Sequence, residues 1–136
     1  MRKASNLFLV VMVLPFVLMS CGNDIANQLK KEMRTIKSQC PQYQGNGVTM
    51  TDANFYENEK VLEYVASIEG VESIDDATVA NMKQAIVSAL SVEISAIESL
   101  SVKAVLKTYD YRYRYIYTDM EGNILCEIEI SKYDFP

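Results

Sequence analysis

The sequence predicts an α+β fold in which a small antiparallel sheet of about two β-hairpins packs against helices. Stretches of alternating apolar and polar residues, interrupted by turn residues, indicate the hairpins. Other stretches, near the start and in the middle of the chain, repeat their apolar residues at helical spacing. The predicted order is α-β-β-α-α-β-β, and the 136-residue length suits one domain with one core.

The first helix is predicted between Asp24 and Gln39, where apolar residues recur at helical spacing. Pro41 ends it, because a proline ring cannot donate a backbone hydrogen bond. The basic residues of this stretch are Lys30, Lys31, Arg34 and Lys37. Their face has two interpretations: a solvated face, or a surface lying on anionic lipid headgroups at about 1 kcal/mol per charge.

The first hairpin is predicted in the stretches VTMTDANFY and KVLEYVASI, which are rich in β-branched and aromatic residues. The turn between them contains Glu57, Asn58 and Glu59. The stretch Gln42–Val48 holds two glycines and is predicted as a loop.

The middle of the chain is predicted to be helical from Ala77 to Val105. Asp75 or Asp76 is its expected N-cap, because a carboxylate can accept hydrogen bonds from the first free amides. Ser91 is a candidate break, so the stretch is predicted as either one helix or two. The residues just before the tyrosine-rich stretch fit a helix end or a strand start equally well.

A row of tyrosines on alternate positions precedes the second predicted hairpin turn, Asp119–Gly122, in which Gly122 is free to adopt positive φ. The tyrosines are Tyr109, Tyr111, Tyr113, Tyr115 and Tyr117. The expected pairs on this face are Tyr117 with Ile124, Tyr115 with Cys126, Tyr113 with Ile128 and Tyr111 with Ile130. On the opposite face, the expected pairs are Arg112 with Glu129 and Arg114 with Glu127. This register therefore separates an apolar face from a charged one.

The tyrosine row has two interpretations, half of a hydrophobic core or an aromatic binding face. Aromatic side chains at strand spacing opposite aliphatic ones usually pack together, so the core interpretation is favoured. The binding face formed by Tyr109 to Tyr117 remains the alternative, and it would need the hydroxyl ends to line an open cleft.

The cysteines that follow the first twenty residues are Cys40 and Cys126. In an oxidising compartment such a pair can form a disulfide, which would close a long loop. The alternative is that Cys126 packs as a free thiol, because it falls in an apolar stripe. The spacing along the chain does not decide between them.

The residue types exclude several kinds of chemistry. The chain has no histidine, which removes Ser-His-Asp and Cys-His arrangements and the usual zinc ligands. It has no Gly-rich phosphate loop and no Cys-x-x-Cys motif. We therefore expect no catalysis, metal or cofactor. The net charge of −5 also argues against nucleic acid as a partner.

The first twenty residues are predicted to be an export signal. Arg2 and Lys3 precede a short apolar run that ends in Leu18-Met19-Ser20-Cys21, too short to span a bilayer as a helix. These last residues resemble the lipobox of bacterial lipoproteins. The resemblance implies cleavage between Ser20 and Cys21 and attachment of lipid, such as palmitate, to Cys21. Several acyl chains together would hold the protein stably on a membrane.

The predicted organisation follows from that site. Residues 1–20 form the signal peptide, 21–39 the lipid-anchored tether and first helix, and 40–136 a single α+β domain. Short motifs in the chain also resemble small uncharacterised lipoproteins of Bacteroidota: Cys40-Pro41, the stretch Gly47–Thr51 and the final strands within Tyr113–Ile130. That resemblance implies location and fold but no activity.

The expected location is the outer membrane of the cell envelope. The residues after Cys21 lack the acidic cluster associated with surface export in such bacteria, so we expect the domain to face the periplasm. The expected function is that of a non-enzymatic binding or accessory module with an envelope protein as partner. The alternatives are an inhibitor-like module that docks on a secreted or envelope enzyme, and an enzyme of unrecognised type.

Overall fold

The computed structural model describes residues 25–96 and 104–135. The predicted signal peptide, the cleavage site and the lipid site Cys21 lie outside the described residues. Within those residues the chain forms seven helices and strands longer than a turn: α1 (Ile25–Ser38), β1 (Gln42–Gly45), β2 (Val48–Tyr56), β3 (Val61–Ile68), α2 (Asp76–Ala96), β4 (Arg112–Thr118) and β5 (Ile124–Ile130). A π-helical turn, Ala104–Thr108, precedes β4, and a 3₁₀ turn, Lys132–Asp134, follows β5.

The strands described form one mixed sheet in the order β1-β2-β3-β4-β5. Neighbouring strands are antiparallel except β3 and β4, which are parallel. The α+β class is therefore confirmed, whereas the purely antiparallel sheet and the predicted element order are wrong. A parallel pair needs a long crossover, and the segment containing α2 supplies it.

Strand β1 is the element that the sequence prediction missed. The stretch Gln42–Val48 was expected to be a loop, but Gln42–Gly45 pairs with the start of β2. The glycines instead make the tight connection, since Gly45, Asn46 and Gly47 all have positive φ. The predicted hairpin of β2 and β3 is confirmed, with a bulge between Met50 and Asp52.

The buried face of α1 matches the sequence prediction, whereas one predicted helix boundary does not. Leu29, Met33 and Ile36 of α1 are buried, as their spacing predicts. The Asp75 carboxylate accepts a hydrogen bond from the Thr78 amide at 2.8 Å, which confirms the N-cap. The candidate break at Ser91 is wrong, because α2 continues to Ala96.

The second hairpin forms with the predicted faces but a different register. Tyr115 lies opposite Ile128 and Tyr117 opposite Cys126, so the partners differ from the prediction by two positions. The Asp119 carboxylate accepts hydrogen bonds from both the backbone and side-chain amides of Asn123, which keeps Asn123 in the loop. A shift of two leaves every side chain on its predicted face, because the side-chain period of a strand is two.

Candidate functional site

The tyrosine row lies inside the core. Tyr111, Tyr113, Tyr115 and Tyr117 are between 0% and 4% exposed, and Tyr109 packs partly buried against the same cluster. The ring of Tyr64 on β3 stacks between two of them, with centroid distances of 6.3 Å to Tyr113 and 5.5 Å to Tyr115. The core interpretation is confirmed, and an aromatic binding face at these positions is wrong because the rings are enclosed.

The cysteines Cys40 and Cys126 are free thiols. Cys126 lies on β5 at one end of the strand order, whereas Cys40 precedes β1 at the other end. Since adjacent strands are about 4.8 Å apart, this separation far exceeds the Cα distance that a disulfide allows. The predicted disulfide is wrong, and burial raises the pKa of Cys126 to about 11.

The sheet face opposite the tyrosines carries a charged network centred on Glu63 of β3. Glu63 is 6% exposed, and its carboxylate accepts a hydrogen bond from Arg114 Nε on β4 at 2.8 Å. The same carboxylate accepts from the side-chain amide of Asn54 at 3.1 Å and from the Tyr56 hydroxyl at 3.4 Å. Three neighbouring strands are thus linked through one buried acid.

The network keeps its charges paired. Burial lowers the pKa of Arg114, but the hydrogen bond and charge of Glu63 outweigh it and raise that pKa above its ordinary value. Glu127 on β5 lies 3.9 Å from Arg114 Nε and adds a second negative neighbour. The Arg114 guanidinium also stands over the Tyr56 ring at 5.3 Å. These groups satisfy one another, so the network joins strands and leaves no base or nucleophile unengaged.

A recess of about 210 Å³ lies between α1 and β2; we call it the α1–β2 cleft. It is lined by Lys30, Met33, Arg34, Lys37, Ala53, Asn54 and Phe55. The cations recur at helical spacing and form one stripe along α1. Met33 and Ala53 are each 1% exposed and supply an apolar floor. The cleft therefore combines positive charge with a small apolar surface.

Lys37 closes one end of the cleft by joining α1 to β2. Its ammonium donates to Asp52 Oδ1 at 2.8 Å and to Asn54 Oδ1 at 2.9 Å. Burial raises the pKa of Asp52, but hydrogen bonds from Lys37, the Ala53 amide and Asn54 bring it below its ordinary value. The hydrogen bond to Asp52 likewise raises the pKa of Lys37. The positive charge of Lys37 is therefore already compensated by its ion pair with Asp52 at this end of the cleft.

A second recess, of about 530 Å³, opens where β4 begins and β5 ends. Its charged residues are of both signs and include the ion pair of Arg112 with Glu129. Lys132 pairs with Asp110 at 3.3 Å nearby. Because its charges largely cancel, this recess has less electrostatic selectivity than the α1–β2 cleft.

The described residues show no metal-type cluster of histidine, cysteine or acidic side chains. In the same part of the chain, no helix is long and apolar enough to cross a membrane. The predicted turn at Asp119–Gly122 is a hairpin loop, in which the Asp119 carboxylate accepts hydrogen bonds from the backbone amides of Glu121 and Asn123. Sequence reasoning identified the basic residues of α1 and predicted β2, but it did not predict that these two elements pack side by side, so it missed the cleft.

No protein-family model and no curated protein sequence matches the chain. Solved structures do match in fold. The type II secretion system pilotin AspS from Vibrio cholerae has a TM-score of 0.53 and 10% identity, covering 79% of this chain and 88% of that one. The pilotin EpsS from the Vibrio vulnificus type 2 secretion system has a TM-score of 0.50 and 16% identity, covering 81% and 91%.

A protein of Pseudomonas aeruginosa described as secreted matches with a TM-score of 0.51 and 11% identity, covering 79% of this chain and 89% of that one. At such low identities the similarity shows a shared fold and transfers no residue role. The chain therefore shares a fold with two secretion-system pilotins and with this Pseudomonas aeruginosa protein.

Proposed function

We propose that the protein is a lipid-anchored accessory module of the bacterial cell envelope, which binds another envelope protein and catalyses no reaction. The observation that carries the proposal is the fold shared with two pilotins of type II secretion systems. The lipobox-like stretch Leu18-Met19-Ser20-Cys21 supports it independently, because lipid on Cys21 would hold the domain at a membrane.

The proposed location is the periplasmic side of the outer membrane. The short stretch between Cys21 and the start of α1 spans at most about 3.5 Å per residue, so the domain would stay near the lipid surface. A tethered domain meets membrane-bound partners at a raised effective concentration, and modest intrinsic affinity is then sufficient for binding. This suits an accessory role better than a role as a freely diffusing protein.

The anchor is tested by the intact mass of the protein purified from its native cells, compared with a Cys21→Ser variant. We expect the native protein to begin at Cys21, to carry a lipid increment and to fractionate with outer membranes. The variant should lack the increment and lose the membrane association. A native protein of unmodified mass in the soluble fraction would contradict the proposed anchor.

The partner is tested by cross-linking in living cells, followed by mass spectrometry of both ends of each cross-link. We expect one envelope protein to be recovered reproducibly with native protein and at a lower yield with Cys21→Ser. A variant with Asp119→Ala, which perturbs the loop before β5, serves as a control for general loss of folding. Cross-links scattered over many abundant envelope proteins, with no dependence on the anchor, would contradict a specific accessory role.

An inhibitor-like module is the second candidate, and the charged sheet face favours it. Arg112, Arg114 and Glu127 lie on one face of neighbouring strands, where a partner enzyme could dock across the sheet. A freely secreted protein with unmodified Cys21 would favour this candidate. Cross-links from this sheet face to a secreted hydrolase, with loss of that enzyme's activity on mixing, would establish it.

A further inference from the structure

The positive charge of the α1–β2 cleft is only partly neutralised. Lys37 is paired with Asp52, whereas Lys30 and Arg34 form no ion pair with any described residue. Both side chains are exposed and line the same recess. The chain as a whole is acidic, with a net charge of −5, so this recess is a local exception. An anion that enters the cleft could therefore pair with both Lys30 and Arg34.

The strand wall of the cleft offers backbone groups as well. β1 pairs with β2 only as far as Met50, so past that residue no described strand covers the outer edge of β2. The Ala53 amide already donates to the side-chain carboxylate of its neighbour Asp52 at 2.9 Å. Since hydrogen-bonding directions alternate along a strand, every second residue of this part of β2 turns its peptide groups towards the outer edge. A bound polypeptide could hydrogen-bond there.

The size and floor of the cleft define what fits. A volume of about 210 Å³ is smaller than the usual range for drug-sized ligands. It suits one acidic side chain with a neighbouring apolar one. Met33 and Ala53 would contact the apolar group, and Lys30 and Arg34 would contact the carboxylate. Arginine can bind a carboxylate through two parallel hydrogen bonds, which adds directional selectivity.

We infer that the α1–β2 cleft binds an extended segment of a partner polypeptide that carries a carboxylate beside an apolar residue. The inference rests on the proposed function, because it assigns the surface that holds the envelope partner. Lipid headgroups are the competing anions, but a phosphate group would use neither the apolar floor nor the free edge of β2. A headgroup layer would also attract Lys31, which is exposed on α1 but does not line the cleft.

The test uses the mature chain, residues 21–136, made with Cys21→Ser so that it stays in solution. Labelled with ¹⁵N, it is titrated with the peptide acetyl-Leu-Glu-Asp-Leu-amide and, separately, with acetyl-Leu-Gln-Asn-Leu-amide as the uncharged control. We expect the acidic peptide to shift the amide signals of Met33, Asn54 and Phe55 with a dissociation constant on the order of 1 mM. The uncharged peptide should shift them much less.

Matched variants on α1 then identify which basic residues bind the acidic peptide. Lys30→Gln and Arg34→Gln should each weaken binding about fivefold, whereas Lys31→Gln on the same helix should leave it unchanged. All three replace exposed residues, so the folded spectrum should persist. Equal weakening by Lys31→Gln would overturn the inference, because it would show diffuse attraction to a basic helix.

Two further outcomes would overturn it. Equal shifts with the uncharged peptide would show an apolar groove without charge selection. Binding to vesicles of phosphatidylglycerol that outlasts saturating acidic peptide would assign the basic residues to lipid. The proposed function is tested separately from the cleft. In-cell cross-links between an envelope protein and other surfaces of the domain would support the proposed function even where the peptide titration rules out binding in the cleft.

Discussion

Arg114 on β4 donates from Nε to the buried Glu63 carboxylate on β3 at 2.8 Å, and the two residues are direct partners in the parallel strand pair. Their side chains are 19% and 8% exposed, so the pair is largely withdrawn from water. Asn54 and Tyr56 on β2 also donate to the same carboxylate. One acid therefore links the first hairpin to the strand that follows the crossover.

The Glu63–Arg114 pair should behave as a coupled unit. Either Glu63→Leu or Arg114→Met leaves one buried charge without its partner, and we expect each to lower the free energy of unfolding by about 2–4 kcal/mol. The double variant should lose less than the sum of the two, since it removes both charges. Urea unfolding of the three variants measures the coupling, and strictly additive losses would contradict it.

The Arg112–Glu129 pair is the matched control on the same sheet face. Its side chains are 41% and 37% exposed, so solvent screens their attraction. Arg112→Met should therefore change the free energy of unfolding by less than about 1 kcal/mol. A loss as large as that of Arg114→Met would show that burial is not what distinguishes the two pairs.

Acid should weaken the attachment of α1 to β2. The folded state holds the pKa of Asp52 below its ordinary value, so this contact stabilises the fold above about pH 4 and is lost as the pH falls through the lowered pKa. We expect the stability difference between the native protein and Asp52→Asn to be present at about pH 7 and to shrink towards about pH 2.5.

The control for the acid effect is Asp119, whose pKa is also lowered, chiefly by its hydrogen bond from Asn123. Asp119→Asn should alter the acid dependence of the second hairpin while leaving α1 attached. Amide hydrogen exchange in α1 distinguishes the two carboxylates. The faster exchange at low pH should depend on Asp52 and should be unaffected by Asp119→Asn. The same acid response in Asp52→Asn as in the native protein would exclude this contact as the cause.

The buried Tyr117 hydroxyl marks a position where one substitution should stabilise the fold. The side chain is 0% exposed, and its hydroxyl has no hydrogen-bond partner among the described residues. Tyr117→Phe removes a buried polar group that is unsatisfied, so we expect the free energy of unfolding to rise by about 1 kcal/mol. Tyr133→Phe, at an 84% exposed position, should change nothing. Marked destabilisation by Tyr117→Phe would reveal a buried partner such as water.

The two cysteines should behave as separate free thiols that must lose a proton before they react. In a Cys40→Ser variant, Cys126 has a pKa of about 11 because of burial, so native alkylation by iodoacetamide should accelerate about tenfold per pH unit between about pH 8 and 10. In urea without reductant, the native chain should label at both Cys40 and Cys126. Labelling that requires prior reduction would contradict the free thiols.

The C-terminal hairpin shows which features were predictable and which were not. Alternation is a local property, so the buried side of Tyr113 and the charged side of Arg114 could be predicted from the sequence. The register could not, because it depended on Asn123 being drawn into the loop by the Asp119 carboxylate. The predicted ion pairs of Arg112 with Glu129 and Arg114 with Glu127 still form, but diagonally across the strands.

The parallel contact of β3 with β4 was missed for a different reason. Two hairpins separated by a helical stretch can form a purely antiparallel sheet, or a mixed sheet in which a crossover makes β3 and β4 parallel. The sequences of the strands are compatible with both arrangements. The signal that could have favoured the crossover is β3 itself, which is buried along nearly all of its length. A strand with apolar residues on both faces indicates a central position with neighbours on each side.

By itself, the sequence determined the α+β class, the faces of the strands and helices, and a stretch that resembles a lipobox, because each depends on residues close together in the chain. The tertiary structure decided the pairing of β3 with β4, the separation of Cys40 from Cys126, and the meeting of the basic stripe of α1 with the open edge of β2. These contacts join residues far apart in sequence. Their free energy comes from burial and charge pairing that exist only once the chain is assembled.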